Sequence, residues 1–510
     1  MKTLRNLVEL IAKDTHMPVW LVALLAAVFA LRIPTFFEPY WYGDETLYLT
    51  LGEGIRRGLL LYRDIHDNKP PLLYLVAGLA GNVFWFRAIL TLWLIGTFYC
   101  FWRLGKLLFA KNERLIKIAC ITIALLTTIP LLEGTIANAE IFMIGPTIIA
   151  FMLILKPRLS AQTTFLAGIL IGIAILFKVP AGFDAAVPIV LWLASLLIAK
   201  TKDWKEFTVK AGIFLGGVIF PALITFVFFG IKGILPQYIT AAFLQNFGYL
   251  SAWRGGGGEG DFLSRNGPLL ARAGIAAIIM VTLLVYYRRR KISLPFLFVG
   301  TWFATSLFAS TLSERPYPHY LIQVVPSFSF LVGMFLTVKT REQFFVYPLF
   351  AILGATLLLF KFYYFQVFPY YQNFLLWVTG QRSTAAYFNH FDSRMNRNYA
   401  VAQYLATSGK ENDRLFVWGN DAEIYTLSNL IPASRFVVAY HVADFNAQGE
   451  IMTQFQKSAP RFIVTISSSP PFPALYSFIN TGYLPIQQIE NATIWLRMKN
   501  TLKDKKLLPR

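Results

Sequence analysis

Two clusters of ionisable residues stand near the start of a chain that is otherwise mostly apolar. They are Asp44-Glu45 and His66-Asp67-Asn68-Lys69, the second closed by Pro70-Pro71. Adjacent carboxylates can divide acid–base work, one taking the proton of an attacking hydroxyl while the other orients it. Asp44 suits the base and Glu45 the supporting acid; the pair equally fits a helix start with a first-turn carboxylate. Lys69 precedes proline, which pushes it into extended backbone and favours a helix beginning just beyond. A fixed cation at such a helix mouth suits an anion and stabilises charge developing on a leaving phosphate. The plainer alternative is a lysine reaching to lipid headgroups. His66 and Asp67 would orient it or hold a divalent ion; two ligands make a weak metal case, so no cofactor is predicted and a divalent metal is left open.

Further along, Asn138 and Glu140 stand at the end of an apolar segment, where an acid is costly and functional unless it merely opens a helix. Lys178, in Leu-Phe-Lys-Val-Pro-Ala, sits similarly and fits either a headgroup anchor or a phosphate contact. Glu314-Arg315-Pro316-Tyr317-Pro318-His319-Tyr320 packs a cation, a histidine and two tyrosines into one turn, with interfacial anchoring as the ordinary reading. The stretch 231–267 holds Trp253-Arg254, the glycine run 255–258, Glu259 and Asp261; it is long enough for a lid, though most glycine-rich loops are only flexible.

The elements that must position these groups are membrane helices. The 510 residues are 56% hydrophobic and 16% aromatic, with mean hydropathy +0.53, far too apolar for a soluble protein. Many segments exceed the ~18 apolar residues of a membrane-crossing helix, and in lipid only helices or closed barrels satisfy their own backbone. About eleven spans are expected, near 17–37, 83–104, 115–132, 141–155, 164–180, 183–199, 211–230, 268–287, 294–312, 319–338 and 343–362. The first follows Lys2, Arg5 and Lys13 without a small-residue cleavage pattern and reads as an uncleaved anchor. Between spans, Leu47, Leu51 and Ile55 recur every four residues and predict an amphipathic helix lying in the interface with its apolar stripe in lipid. The two cysteines, Cys100 and Cys120, form no framework.

Basic residues mark alternate loops: Lys106 to Lys117, Lys156 with Arg158, Lys200 to Lys210, Arg288 to Lys291, and Lys339 with Arg341. The positive-inside rule puts these and the N-terminus in the cytoplasm and the candidate site residues on the opposite face. The net charge of +20 is thus spread over loops, without the clustered face that nucleic acid requires. The transmembrane domain is expected over 1–362, with outer loops 38–71 and 231–267. An aromatic interfacial linker follows over 363–389, then a small extracytoplasmic α/β domain over 390–510. In the last, Leu415–Trp418, Arg435–Ala439, Phe462–Thr465 and paired runs near 483–498 alternate with helices near 394–408, 421–428 and 442–457.

In combination these features resemble the GT-C glycosyltransferases, in particular the protein O-mannosyltransferase (glycosyltransferase family 39) and bacterial lipid A aminoarabinose transferase families. The resemblance runs over nearly the whole chain. It rests on Asp44-Glu45 leading into a helix, Lys69-Pro70-Pro71-Leu72, Arg87 opening the next span, Glu140, the lysine–x–proline turn at Lys178, His319-Tyr320, and Trp418-Gly419-Asn420-Asp421-Ala422-Glu423. Where some relatives have a glutamate before the lysine, this chain has Asn68, which puts a metal site like theirs in doubt. The resemblance implies a multi-pass protein of the inner (cytoplasmic) membrane that moves a sugar from a polyprenyl-phosphate donor to a lipid, glycan or protein hydroxyl. Transfer would occur on the extracytoplasmic face with inversion. Asp44 would be the base with Glu45 in support. Lys69, with Lys178 and Arg315, would hold the phosphate, and His66, Asp67, Arg87, Asn138, Glu140, His319 and Tyr320 would bind or orient substrate. A transporter or flippase for an anionic lipid or solute uses the same charges differently, with charges near span centres and access from both sides. A non-catalytic scaffold would leave the carboxylates idle.

Overall fold

The computed structural model describes residues 12–15, 17–199, 201–245, 262–338 and 341–498. Lys2, Arg5, Lys200, Lys339 and the stretch with Trp253, Arg254, Glu259 and Asp261 lie outside the described residues. The chain forms two compact units interleaved in sequence. The first comprises 1–36, 68–73 and 87–371; the second comprises 37–67, 74–86 and 372–510.

The first unit is helical throughout its described residues. Among the described residues, six helices are long and apolar enough to cross a membrane: Val19–Phe37, Val83–Leu108, Val179–Ile198, Trp204–Ile231, Asn266–Arg288 and Glu342–Phe360. Shorter apolar helices, Ala139–Ile154, Ala161–Phe177, Leu294–Ser310 and Val325–Thr337, pack among them. The protein is therefore a multi-pass membrane protein. Lipid supplies no hydrophobic drive between helices, so their backbones approach through small residues. Gly168 and Gly172, four apart on Ala161–Phe177, meet helix Trp204–Ile231; a Cβ on Gly168 would stand 2.9 Å from the Cα of Gly217. Buried Arg32 ties the first span to its neighbours, donating through Nε to Thr91 Oγ1 at 2.8 Å and through Nη1 to the Gly134 carbonyl.

The second unit is built on a five-stranded mixed sheet of order β2-β1-β3-β5-β4. Its strands are β1 Arg414–Trp418, β2 Ile431–Pro432, β3 Phe462–Ile466, β4 Tyr483–Ile489 and β5 Ala492–Arg497. β2, β1 and β3 run parallel, and β4–β5 is an antiparallel hairpin. β1 and β3 are the strands buried most completely, and their apolar runs carry no polar alternation, as a centre covered on both faces requires. Arg435–Ala439 forms no strand: its Ala439 opens the helix Ala439–Asp444, and the helix expected near 442–457 divides into that one and Gln448–Lys457. A helix at Pro473–Gly482 completes the α/β alternation.

Helix Gly43–Arg56 belongs to this second unit and forms where the four-residue apolar spacing places it. Its stripe, however, is covered by protein rather than lipid: Leu47 and Leu51 are buried, as are Tyr48, Leu49 and Thr50. Thr50 Oγ1 donates to the Ala422 carbonyl at 3.0 Å and lies 2.9 Å from Thr426 Oγ1, both around helix Glu423–Ser428. On another side Gly52 meets Gly78 of helix Leu72–Ala80 so closely that a Cβ there would stand 2.8 Å from the Ala77 carbonyl carbon. An apolar stripe says which face is buried and not what buries it.

Candidate active site

In the first unit, two helix ends and two tight turns converge on a cavity of about 340 Å³. Helix Ala161–Phe177 stops at Lys178, which adopts extended backbone (φ −156°, ψ 126°) because the next turn, Val179–Ala185, begins with Val179-Pro180. Its ammonium thereby leaves the helix face, forms an ion pair with Glu140, and stands 4.0 Å over the centroid of the Tyr320 ring. Glu140 occupies the first turn of helix Ala139–Ile154, where the free N–H groups and the dipole favour a carboxylate. Both line the cavity with Lys69, Tyr320 and Gln323, between apolar walls that include Phe183 and Phe243. Two ammonium groups against one carboxylate leave this lining net positive among apolar walls.

Behind Glu140 the charges continue. His319, on the turn Pro318–Gln323, contacts the carboxylate of Glu133 through Nδ1 and stands with Nε2 3.6 Å from Glu140 Oε1. Glu133 also accepts from Tyr363 Oη at 3.1 Å and from Asn138 Nδ2 at 3.4 Å. Asn138 is thus a bracket for Glu133, and His319 links two carboxylates. Arg315 is half-buried and is not among the residues that line the cavity. Arg87 is fully buried and donates to the Thr35 carbonyl at 2.8 Å, a bond that fixes the end of the first span.

The remaining candidates lie in the second unit. Asp44 is in the first turn of Gly43–Arg56, whose N-cap is Tyr42; it is half-buried and accepts from Tyr48 Oη at 2.9 Å. Glu45 beside it is fully buried. Asp67 accepts from Tyr74 Oη at 2.7 Å and lies 3.6 Å from His441 Nε2. His66 donates its backbone N–H to the Arg435 carbonyl at 2.9 Å and sets its ring against Phe436, Phe445 and His441. Among the described residues, no three His, Cys, Asp or Glu side chains are placed to hold a metal ion together.

The structure therefore brings together Lys69, Lys178, Glu140, His319, Tyr320 and Asn138 in one unit, and Asp44, Glu45, His66 and Asp67 in the other. Sequence reasoning missed Glu133 and Gln323. Glu133 carried one signal, an acid isolated between apolar runs and followed by glycine; it takes a left-handed conformation at φ 58°. Gln323 carried none, since a lone amide in an apolar segment is unremarkable.

The fold of this chain resembles that of the GT-C glycosyltransferases. The crystal structure of ArnT from Cupriavidus metallidurans bound to undecaprenyl phosphate superposes with a TM-score of 0.57 at 14% identity, over 94% of this chain and 98% of that one. An Archaeoglobus fulgidus oligosaccharyltransferase in the apo form gives 0.44 at 13% identity, over 94% and 75%. The mycobacterial arabinofuranosyltransferase AftD gives 0.40 at 13% identity, over 94% and 40%. No protein-family profile matches the chain, and no curated protein matches it in sequence.

Proposed function

We propose that this protein is a membrane glycosyltransferase that moves a sugar from a polyprenyl-phosphate donor to an acceptor hydroxyl. The observation that carries the reading is the cavity in the membrane unit, where Lys69 and Lys178 stand among apolar walls. A lipid phosphate needs that pairing of fixed cation and hydrocarbon surface. The shared fold supports it, since ArnT was crystallised with undecaprenyl phosphate. In the reaction, Asp44 takes the proton of the acceptor hydroxyl as that oxygen forms a bond to the anomeric carbon. The bond from that carbon to the phosphate oxygen breaks, and the polyprenyl phosphate leaves with its charge held by Lys69 and Lys178. A single displacement inverts the anomeric centre, without an enzyme-bound intermediate and without a metal. Glu45 supports the base, and Glu140, His319 and Tyr320 set the position of Lys178. With the roughly eleven spans that the sequence predicts and a cytoplasmic N-terminus, the chemistry and the sheet-bearing unit would lie on the extracytoplasmic side of the inner membrane, where a lipid-linked donor replaces nucleotide sugars.

The test is sugar release from radiolabelled polyprenyl-phosphate sugars by purified protein. Asp44→Asn is expected to lower turnover by ~10²–10⁴-fold, the usual share of general base catalysis. Full activity in that variant removes Asp44 from the role of base.

A further inference from the structure

Gln323 lines the cavity with its bonding half used. It is 3% exposed. Its Nε2 donates to the Pro180 carbonyl at 3.1 Å and to Asp184 Oδ2 at 3.2 Å. A carbonyl oxygen can only accept, so the amide nitrogen must face Pro180, and the side chain has one orientation. Both N–H groups are then spent, and the Oε1 acceptor is the polar atom left to face the cavity. Asp184 is itself fixed: it is 2% exposed, and Thr305 Oγ1 lies 3.5 Å from its Oδ1. A buried carboxyl at membrane depth is costly, and here it serves to pin an amide. The pinned amide thereby bonds across to the turn Val179–Ala185, which Lys178 directly precedes.

We propose that Gln323, held in register by Asp184, is a specificity-determining residue that accepts a hydrogen bond from a hydroxyl of the donor's sugar. The inference rests on the polyprenyl-phosphate reading above and adds the recognised group. An acceptor oxygen takes either a hydroxyl or a cationic amine. Lys69 and Lys178 line the same cavity, and a neutral sugar hydroxyl is the partner assigned to the acceptor oxygen. A cavity of about 340 Å³ lies at the small end of the ~300–1,000 Å³ typical of ligand pockets, the size for one sugar ring and its phosphate. A buried amide oxygen satisfied only by substrate discriminates sharply, because a ligand lacking the hydroxyl leaves it unpaired.

The experiment compares binding of undecaprenyl phosphate with that of its glucosyl, galactosyl and mannosyl esters to the full-length protein in nanodiscs. Wild type is expected to bind at least one glycosyl form ~10-fold or more tightly than the bare phosphate, the worth of one buried hydrogen bond of about 1.4 kcal/mol. Gln323→Leu keeps the volume, loses the acceptor and is expected to abolish that preference while leaving bare-phosphate affinity within about twofold. Asp184→Asn offers Gln323 Oε1 a competing donor and lets the amide turn, so it is expected to erode the preference by about threefold. Should Gln323→Leu fail to fold, Asp184→Asn carries the test alone. Equal weakening of bare and glycosylated lipid, or a wild type with no preference for any of the three esters, overturns the inference. A wild type that binds undecaprenyl phosphate no better than neutral undecaprenol instead removes the donor reading beneath it.

Discussion

In the first unit Lys178, Glu140, His319 and Glu133 form a chain of charges that borders a cavity. In the second, Arg397, Asp421, Asn398 and Glu423 form one enclosed by protein. Both are buried, and both set carboxylates against cations, yet their hydrogen bonding differs. Arg397 donates to Asn398 Oδ1 at 2.7 and 2.8 Å, to Asn491 Oδ1 at 2.6 Å and to Asp421 Oδ1 at 2.8 Å. Asn398 Nδ2 in turn donates to Asp421 Oδ1 at 2.9 Å and to Glu423. Each polar group of that network is answered by another, which is the condition for buried charge to specify a fold. The first network instead ends at a cavity lined by Lys69, Lys178 and Gln323. Buried charge that closes on itself holds structure; buried charge that opens on a cavity is set to hold a ligand.

The largest expected effect breaks the closed network. Asp421→Asn leaves the Arg397 guanidinium buried without its countercharge, which typically costs ~3–5 kcal/mol. Denaturant unfolding of the purified protein should show that loss in the second unit, with activity per folded molecule retained. A variant as stable as wild type would mean that Arg397 finds its counterion elsewhere.

In the open network the expected loss is in turnover. Lys178→Met should lower donor turnover by ~10²–10³-fold, as removal of a fixed charge at a developing oxyanion does. It also removes the ion-pair partner of Glu140, which is 3% exposed at its side chain and keeps His319 at 3.6 Å. The double variant Lys178→Met/Glu140→Gln should restore the melting temperature without restoring turnover. Recovery of both together would place Lys178 among the structural charges and erase the contrast between the networks.

The legible part of the molecule was what hydropathy and turn chemistry encode. Apolar runs marked the helical segments, and Pro180 after Lys178 marked a helix end. The four-residue spacing of Leu47, Leu51 and Ile55 gave helix Gly43–Arg56, though amphipathicity could not say that helix Glu423–Ser428 would cover part of it, some 370 residues away in sequence. Glu140 and Lys178 were each recognisable as charges at span ends, but their pairing over 38 positions is a product of packing. Arg435–Ala439 looked like a strand because it is apolar and β-branched; its burial comes from a loop and the start of a helix, which composition does not distinguish. Gln323 became visible only when its nitrogen was seen to be spent on Pro180 and Asp184.

The smallest expected effect sharpens the comparison through pH. Burial, reinforced by the neighbouring Asp421 charge, pushes the Glu423 carboxyl up to about 8 from its ordinary 4.5. The folded state therefore keeps a proton that the unfolded chain has released. Stability from this group is complete below about 4.5, declines through the interval, and is lost as pH rises through about 8. Glu423→Gln removes the ionisation and can still accept from Asn398, while its amide faces Asp421 as the protonated acid does. The variant should match wild type near pH 5 and melt progressively higher than wild type as pH rises to 9. The difference should shrink in an Asp421→Asn background, where burial still opposes Glu423 ionisation but the like charge is gone. A variant that melts lower than wild type at pH 9 would mean that Glu423 is ionised and paired in the fold, so that the second network is held by charge rather than by hydrogen bonds alone.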